Sequence, residues 1–397
     1  MLFASPKPSD EELEQRKEQL RILLSATDKE IEKLVRNNPT VLQRRDIVGA
    51  HGPKLKLIEE RLGISKKEAS RLCLKANRLL NVMLETLESK IDWLQARLNL
   101  NKVQLRRIIE GSPVALALSI EDNLEPTLDN IQSGLGLSDK ELTKIVWKTP
   151  EVLQKNFSFE KLAVRLSFLR DLLSIKEGDI AKLRKAVLKR PEILFWPEES
   201  MLESQQWIKN RFGYGDSKVA QICRSFLDPL ISSIDTLEKK AGDIQTELAL
   251  DNDELKQMIS STAKVLAMSV DESIKPKMEF FRLTFALDAE EAKGLVLRYP
   301  VFFTLSIEKN IEAKLEFYSE LAGKAVAEEA ILENPNLLLQ SLKTRLKPRL
   351  AEVEEQGSKV RWTKTLLFRM ALRTPAQWEA YGLDDAPRGR SARSRKK

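Results

Sequence analysis

The sequence predicts an all-α protein, a helical-repeat solenoid wound into a curved superhelix, on three observations. Ten residues suited to begin a helix recur along the chain, at Thr27, Ser65, Asn101, Ser138, Asp179, Gly215, Asp251, Asp288, Gly323 and Thr363. Twelve positions after each lies a break, at Pro39, Asn77, Pro113, Pro150, Pro191, Leu227, Ala263, Pro300, Pro335 and Pro375, and seven of the ten are proline. In between, the fourth, seventh and eighth residues after the cap are apolar every time, as in Leu142, Ile145 and Val146. That spacing marks one buried helical stripe, copied ten times.

The first helix of each repeat follows from its cap. Thr, Ser, Asn and Asp accept a hydrogen bond from the unsatisfied amides of a first turn, and Glu or Gln three residues on bonds back to the cap. Thr27/Glu30, Ser65/Glu68, Asn101/Gln104, Ser138/Glu141, Asp251/Glu254 and Asp288/Glu291 all fit this capping box. The second helix follows from the break, because proline cannot extend the helix behind it but suits the first position of a new one. Apolar residues then fall second and third after the break, as at Val152 and Leu153 or Phe302 and Phe303. The third helix is signalled by a serine six residues past the break (Ser119, Ser269, Ser306, Ser341), with Pro126, Pro276 and Pro348 reading as a turn into it. Cap-to-cap intervals are 35 to 41 residues. No repeat of this size buries its stripe alone, so the repeats must stack.

Composition agrees. At 42% hydrophobic and 31% charged residues the chain suits an α-rich fold, and no run of eighteen apolar residues is present to span a bilayer. A solenoid grows by addition, so residues 20–384 read as one elongated repeat domain between an N-terminal extension, 1–19, and a basic tail, 385–397.

Residues for chemistry are sparse. Cys73 and Cys223 are the only cysteines, and both stand at the eighth position after a cap, where other repeats place Val or Ile. They read as small buried apolar residues, with neither a disulfide framework nor a metal site to build from them. His51 is the only histidine and, beside Gly52 and Pro53, reads as a loop residue. Gly134 and Gly136 lack a leading strand and a third glycine, so no dinucleotide fingerprint is supported. Asp384/Asp385 and Glu328/Glu329 read as solvated surface. The expectation is a non-enzyme with no cofactor and no metal.

Net charge carries the functional argument. The chain is formally +7, but Arg388, Arg390, Arg393, Arg395, Lys396 and Lys397 supply six of those charges, leaving 7 − 6 = +1 for the body. What matters is placement. The sixth and tenth positions after a cap share one helix face, away from the apolar stripe. In the first five repeats they hold Lys33/Asn37, Arg71/Lys75, Arg107/Gly111, Lys144/Lys148 and Lys185/Lys189. That is eight bases in ten positions and no acid, where 66 Lys and Arg among 397 residues predict about two. The column fades through Gln221/Ser225, Gln257/Ser261 and Gly294/Arg298, reverses at Glu329/Glu333 and returns at Arg369/Arg373. Stacking lines up equivalent positions, so the N-terminal half should carry a basic ribbon suited to a polyanion backbone.

The segments LGISKKEASRLCLKANRLL (62–80), LNLNKVQLRRIIEGSPVAL (98–116), LGLSDKELTKIVWKTPEVL (135–153) and FALDAEEAKGLVLRYPVFF (285–303) resemble the repeat of the mitochondrial transcription termination factor (mTERF) family. The resemblance covers about residues 20–384. Tetratricopeptide, HEAT and pentatricopeptide repeats fit the variable spacing and the break proline less well. The resemblance implies a protein of mitochondrion or chloroplast whose superhelix holds double-stranded nucleic acid, acting in transcription termination or regulation or in RNA maturation. It does not carry over base-contacting residues. Asn77, Leu227 and Ala263 at the breaks, and Glu329/Glu333, depart from the pattern.

Two function classes follow. The first is a double-stranded nucleic-acid binder, contacting DNA or structured RNA through Lys33, Arg71, Lys75, Arg107, Lys144, Lys148, Lys185, Lys189, Arg298, Arg369 and Arg373. The alternative is a protein-interaction or ribosome-assembly scaffold in which the ribbon is incidental. No membrane partner is expected; organellar transcription or ribosome-assembly proteins are candidate partners. Asp10, Glu11 and Glu12 contradict the acid-poor composition of an import peptide, so none is evident in residues 1–19. The six tryptophans read as packing residues in preference to base-stacking ones.

Overall fold

The computed structural model describes residues 8–355 and 360–379, and these are helical throughout, with no strand element among them. All ten expected caps stand at helix N-caps. The helices they open are nearly uniform: Asp28–Asn37, Lys66–Lys75, Lys102–Gly111, Asp139–Lys148, Ile180–Lys189, Asp216–Ser225, Asn252–Ser261, Ala289–Arg298, Lys324–Glu333 and Lys364–Leu372. Five capping boxes close reciprocally at Thr27, Ser65, Asn101, Asp251 and Asp288. At Ser138 the Glu141 carboxylate accepts from both the serine amide (3.0 Å) and its hydroxyl (2.7 Å). The stripe at positions four, seven and eight is buried in every cap helix, with Val35 alone half-buried.

The second helix of the repeat is a single 3₁₀ turn, as at Pro150–Gln154 or Pro335–Leu339. It stays short because its apolar pair, Val152 and Leu153 in one repeat and Leu337 and Leu338 in another, already reaches full burial within one turn. At the expected break Leu227 the turn begins one residue later, at Asp228, because Pro229 occupies its second position.

The third helix is the long one, as in Ile47–Leu62, Leu84–Arg97, Phe159–Leu172 and Glu198–Phe212. The expected turn at its proline is corrected by the structure. Helices following Ser119, Ser269, Ser306 and Ser341 begin at the serine with a wide π turn, closed by bonds such as Leu124 N–H to Ser119 O (3.1 Å) and Ile274 N–H to Ser269 O (3.2 Å). Pro126, Pro276 and Pro348 then lie inside the helix, just after that turn. The widened turn makes room for a ring that would otherwise meet a carbonyl of the preceding turn.

Eight of the helices that lead into a cap leave through a left-handed residue: Ser25, Gly63, Asn99, Gly136, Ser174, Gly213, Ala249 and Ala286 all have φ between 47° and 65°. The residue after it donates five residues back, as Leu100 N–H does to Gln95 O (2.9 Å) and Leu250 N–H to Gln245 O (2.9 Å), and both of these leucines are buried. This Schellman closure turns the chain into the next cap.

Successive repeats are also joined by buried donors that sequence reading missed. Lys54, Arg165, Lys277, Lys314 and Arg349 occupy one position of the third helix and are each less than a tenth exposed. Lys54 donates to Leu80 O, Lys277 to Phe303 O and Lys314 to Leu338 O, all on the 3₁₀ turn of the following repeat. Arg165 donates to Ile193 O (2.9 and 2.7 Å), to Trp196 O and to Glu198 Oε1 (3.2 Å). Burial pushes the pKa of all five groups down, and the carbonyls supply the acceptors that water cannot. Lys240 is the counterpart on the helix Ile234–Glu247 and is half-buried.

By contact, the chain divides into two compact units, Met1–Ser233 and Ile234–Lys397. The first holds the cap helices of the first six repeats and the second those of the last four. The helix Asp10–Leu24, capped by Ser9, crosses the boundary drawn at residue 20. The basic tail and Asp384/Asp385 lie outside the described residues.

His51 corrects a second expectation. It sits inside the helix Ile47–Leu62, 2% exposed, with Nε2 3.1 Å from Val41 O. The helix runs through Pro53 and carries the imidazole into the core, where burial pushes its pKa down and keeps it neutral. Cys73 and Cys223 are buried and unpaired, as expected.

Two stability outcomes follow. Ala286→Gly, at an exposed left-handed position, should stabilise the protein by about 1 kcal/mol, since alanine carries a Cβ penalty there that glycine lacks. Arg165→Met should cost about 3 kcal/mol by leaving buried carbonyls without a donor. Urea unfolding midpoints measure both; a midpoint unmoved in Arg165→Met would remove the inter-repeat donor from the account.

Candidate nucleic-acid interface

The ten-residue cap helix buries positions four, seven and eight, which leaves six and ten on the open side. Lys33, Arg71, Lys75, Arg107, Lys144, Lys185 and Lys189 are exposed in the N-terminal unit, together with Asn37, and Lys148 is half-buried. Adjacent cap helices are pinned by a contact that the sequence reading did not foresee. The base at position five reaches back to the capping-box carboxylate of the preceding repeat: Arg106 to Glu68 (3.0 Å) and Arg184 to Glu141 (2.5 Å) in the first unit, and Lys293 to Glu254 (2.9 Å) in the second. These pairs consume acids and bases at positions three and five. Positions six and ten are left to face outward.

Two grooves between cap helices are edged by the basic column. One of about 500 Å³ is lined by Lys33, Asn37, Arg71, Lys75 and Asn77, with Glu30 on its wall. Another of about 360 Å³ is lined by Lys182, Lys185, Lys189, Gln221, Arg224 and Ser225. Lys182 was not singled out from sequence, although it lies three residues before Lys185 and so on the same face. Asn77, a departure from the break pattern, and Gln221 and Ser225, where the basic column fades, supply neutral hydrogen-bonding groups to the same grooves.

Two members of the column are tied to the protein. The Arg107 guanidinium lies 4.5 Å from the centre of the Trp147 ring, and its Nε donates to Trp147 O (3.3 Å). Lys148 Nζ donates to Leu188 O (2.8 Å) and Lys189 O (3.3 Å). Both cap the carbonyl end of the next cap helix, where the macrodipole favours a cation. Burial, and then the charge of Lys144, push the Lys148 pKa down. Trp147, 37% exposed, thus serves as a packing surface for Arg107.

In the C-terminal unit the candidates are dispersed. Arg298 is exposed, with Nε on Gly294 O of its own helix (3.3 Å), while Arg369 and Arg373 are half-buried. Between them, the acidic reversal is answered internally, because Lys364 of the next cap helix bridges Glu329 (2.5 Å) and Glu333 (3.0 Å). Among the described residues no group of three or more His, Cys, Asp or Glu side chains is placed to hold a metal ion, and no helix is long and apolar enough to cross a membrane.

The family model described as mTERF matches residues 19–284 and 228–372, most of the chain. No curated protein matches it. The chain therefore belongs to the mTERF family, whose helical repeats are associated with nucleic-acid binding and gene expression in organelles.

The pinning pairs predict an acid response. Arg184, and then the Ser138 amide, hold the Glu141 carboxyl down to about 2 from an ordinary 4.5. A carboxylate held low when folded stabilises the protein above its unfolded pKa, and that contribution is lost as pH falls from about 4.5 towards 2. Glu141→Gln should therefore melt lower than the parent at pH 7 and lose less melting temperature between pH 5 and pH 2.5. Parallel melting curves across that window would contradict the pairing.

Proposed function

We propose that this mTERF-family chain grips double-stranded nucleic acid by its phosphate backbone through the cap helices of its N-terminal unit, and so regulates transcription or RNA maturation in a mitochondrion or chloroplast. One observation carries the reading: an acid-free column of bases stands exposed on aligned helices and edges two grooves, while the nearby capping-box carboxylates of Glu68 and Glu141 are paired with Arg106 and Arg184. Each phosphate neutralised by such a side chain releases condensed counterions, so affinity comes chiefly from charge and falls with salt. Backbone contacts of this kind fix orientation without reading bases.

The proposed role is binding, not catalysis. The side chains best suited to nucleophilic or acid–base chemistry at neutral pH are withdrawn into the core, with both thiols pushed up to about 12 by burial and His51 held neutral. The scaffold reading draws support from two apolar side chains, Phe159 and Val164, 66% and 67% exposed on the helix Phe159–Leu172, that a protein partner would cover.

Fluorescence anisotropy with labelled duplex DNA, duplex RNA and single strands over about 50–200 mM salt decides between them. Replacing Lys33, Lys75, Lys144 and Lys185 together by Gln should lower the log–log salt slope on duplex DNA by about 3 to 4, with the melting temperature unchanged. Arg107 and Lys148 are poor choices for this test, since their loss also frees a neighbouring helix end. Unaltered binding by the fourfold variant would favour the scaffold.

A further inference from the structure

The groove between the first two cap helices differs from the rest of the basic column. Lys33, Arg71 and Lys75 edge it, and among the described residues none of the three makes a hydrogen bond or ion pair. Elsewhere bases are tied: Arg107 to Trp147, Lys148 to a helix end, and Lys182, beside the other groove, to Asp179 (2.5 Å). Two asparagines that interrupt the pattern, Asn37 in the column and Asn77 at the break, fall in this same groove, and neither side-chain amide is bonded among the described residues. Leu34 and Leu74 line it as well.

Position five explains why a carboxylate is left there. It holds Ser70, 1% exposed, where Arg106 and Arg184 pin their neighbours. Glu30 is therefore not claimed by a base at that position. The Thr27 amide and hydroxyl both donate to its Oε2 (2.8 Å each) and, with a smaller contribution from Arg71, keep its carboxyl below the ordinary value and ionised. Its Oε1 takes no part in the cap.

Cations, an apolar floor, amides that both donate and accept, and a carboxylate thus share about 500 Å³, a volume within the range of small-molecule pockets. Glu30 and Asn37 stand seven residues apart on one helix, which makes the groove roughly 10 Å long. A duplex backbone would use the cations, but Glu30 opposes its phosphates and the leucines have nothing on it to cover. A nucleotide uses every part: phosphate on the bases, a ribose hydroxyl donating to the carboxylate, and the base on the leucines with its edge paired to the amides. We propose that this groove binds a nucleoside phosphate, with adenine the base whose edge asparagine matches best. The inference goes beyond the duplex reading and does not depend on it, although Lys33 and Lys75 serve either ligand. A free nucleotide and the unpaired end of a strand share this chemistry.

The test is calorimetric titration of the full chain with ATP, with inorganic tripolyphosphate, and with duplexes that are blunt or carry one unpaired 5′-phosphorylated adenosine. ATP should bind more tightly than tripolyphosphate. Lys33→Gln with Lys75→Gln should weaken ATP by at least about tenfold, and Asn37→Ala with Asn77→Ala should weaken it about tenfold while leaving tripolyphosphate unchanged. A preference for the overhang over the blunt duplex without ATP binding assigns the groove to a strand end. Tripolyphosphate bound as tightly as ATP, with the asparagine variant altering neither, overturns the inference and leaves a plain anion patch. ATP unbound and the overhang no better than the blunt end overturns it too. Blunt duplex reports the duplex reading separately: if ATP binds and blunt duplex does not, that reading falls and this one stands. Melting curves matching the parent show that a lost affinity is a lost contact and not a lost fold.

Discussion

Carbonyls of the 3₁₀ turns Asn77–Asn81, Pro191–Leu194, Pro300–Thr304 and Pro335–Leu339 each accept from a buried side chain of the preceding repeat. Lys54, Arg165, Lys277 and Lys314 could not be buried without those carbonyls, because a desolvated cation with no acceptor costs several kcal/mol. The turn, equally, leaves buried acceptors unpaired until the preceding helix is docked. Stacking of neighbours and satisfaction of their polar groups are thus one event, and the repeats acquire a fixed register. Arg349 repeats the arrangement near the chain's end, donating to Met370 O (2.6 Å) and Arg373 O (3.0 Å).

Register is what makes a surface out of separate helices. Once neighbouring cap helices are held side by side, the capping-box carboxylate of one meets the fifth-position base of the next, and the same alignment brings sixth and tenth positions into rows. Glu68 and Glu141 are thereby drawn into structural pairs. The free charge of the N-terminal unit is basic where the helices face outward, although the chain without its last ten residues is close to neutral. The C-terminal unit has the same scaffold without the same row, since Lys364 is spent on Glu329 and Glu333.

Caps and stripes were legible because each rests on local chemistry: an oxygen three residues before an amide, or apolar side chains at helical spacing. Eight of the ten caps carry such an oxygen, while Gly215 and Gly323 were placed by the stripe and the break, and the break was displaced only where Pro229 follows Leu227 by two. Features decided by neighbours were hidden. A lysine or arginine reads as surface charge, so the buried donors passed unnoticed, although recurrence at Lys54, Arg165, Lys277, Lys314 and Arg349 was the available signal. His51 looked like a loop residue beside Gly52 and Pro53 because nothing local shows that a helix continues through that proline. Arg107 and Lys148 were indistinguishable in sequence from Lys144, and only the end of the following helix separates them.

Lysine acetylation of the full chain with and without duplex DNA, quantified residue by residue by mass spectrometry, tests the central claim most directly, because it reads the side chains themselves. The account predicts that Lys33, Lys75, Lys144 and Lys185 become protected by duplex while Lys56 and Lys161, exposed on third helices of the same unit, react as before. Protection of Lys56 and Lys161 with the cap-helix lysines unchanged would place the nucleic acid on the other side of the repeats and contradict it.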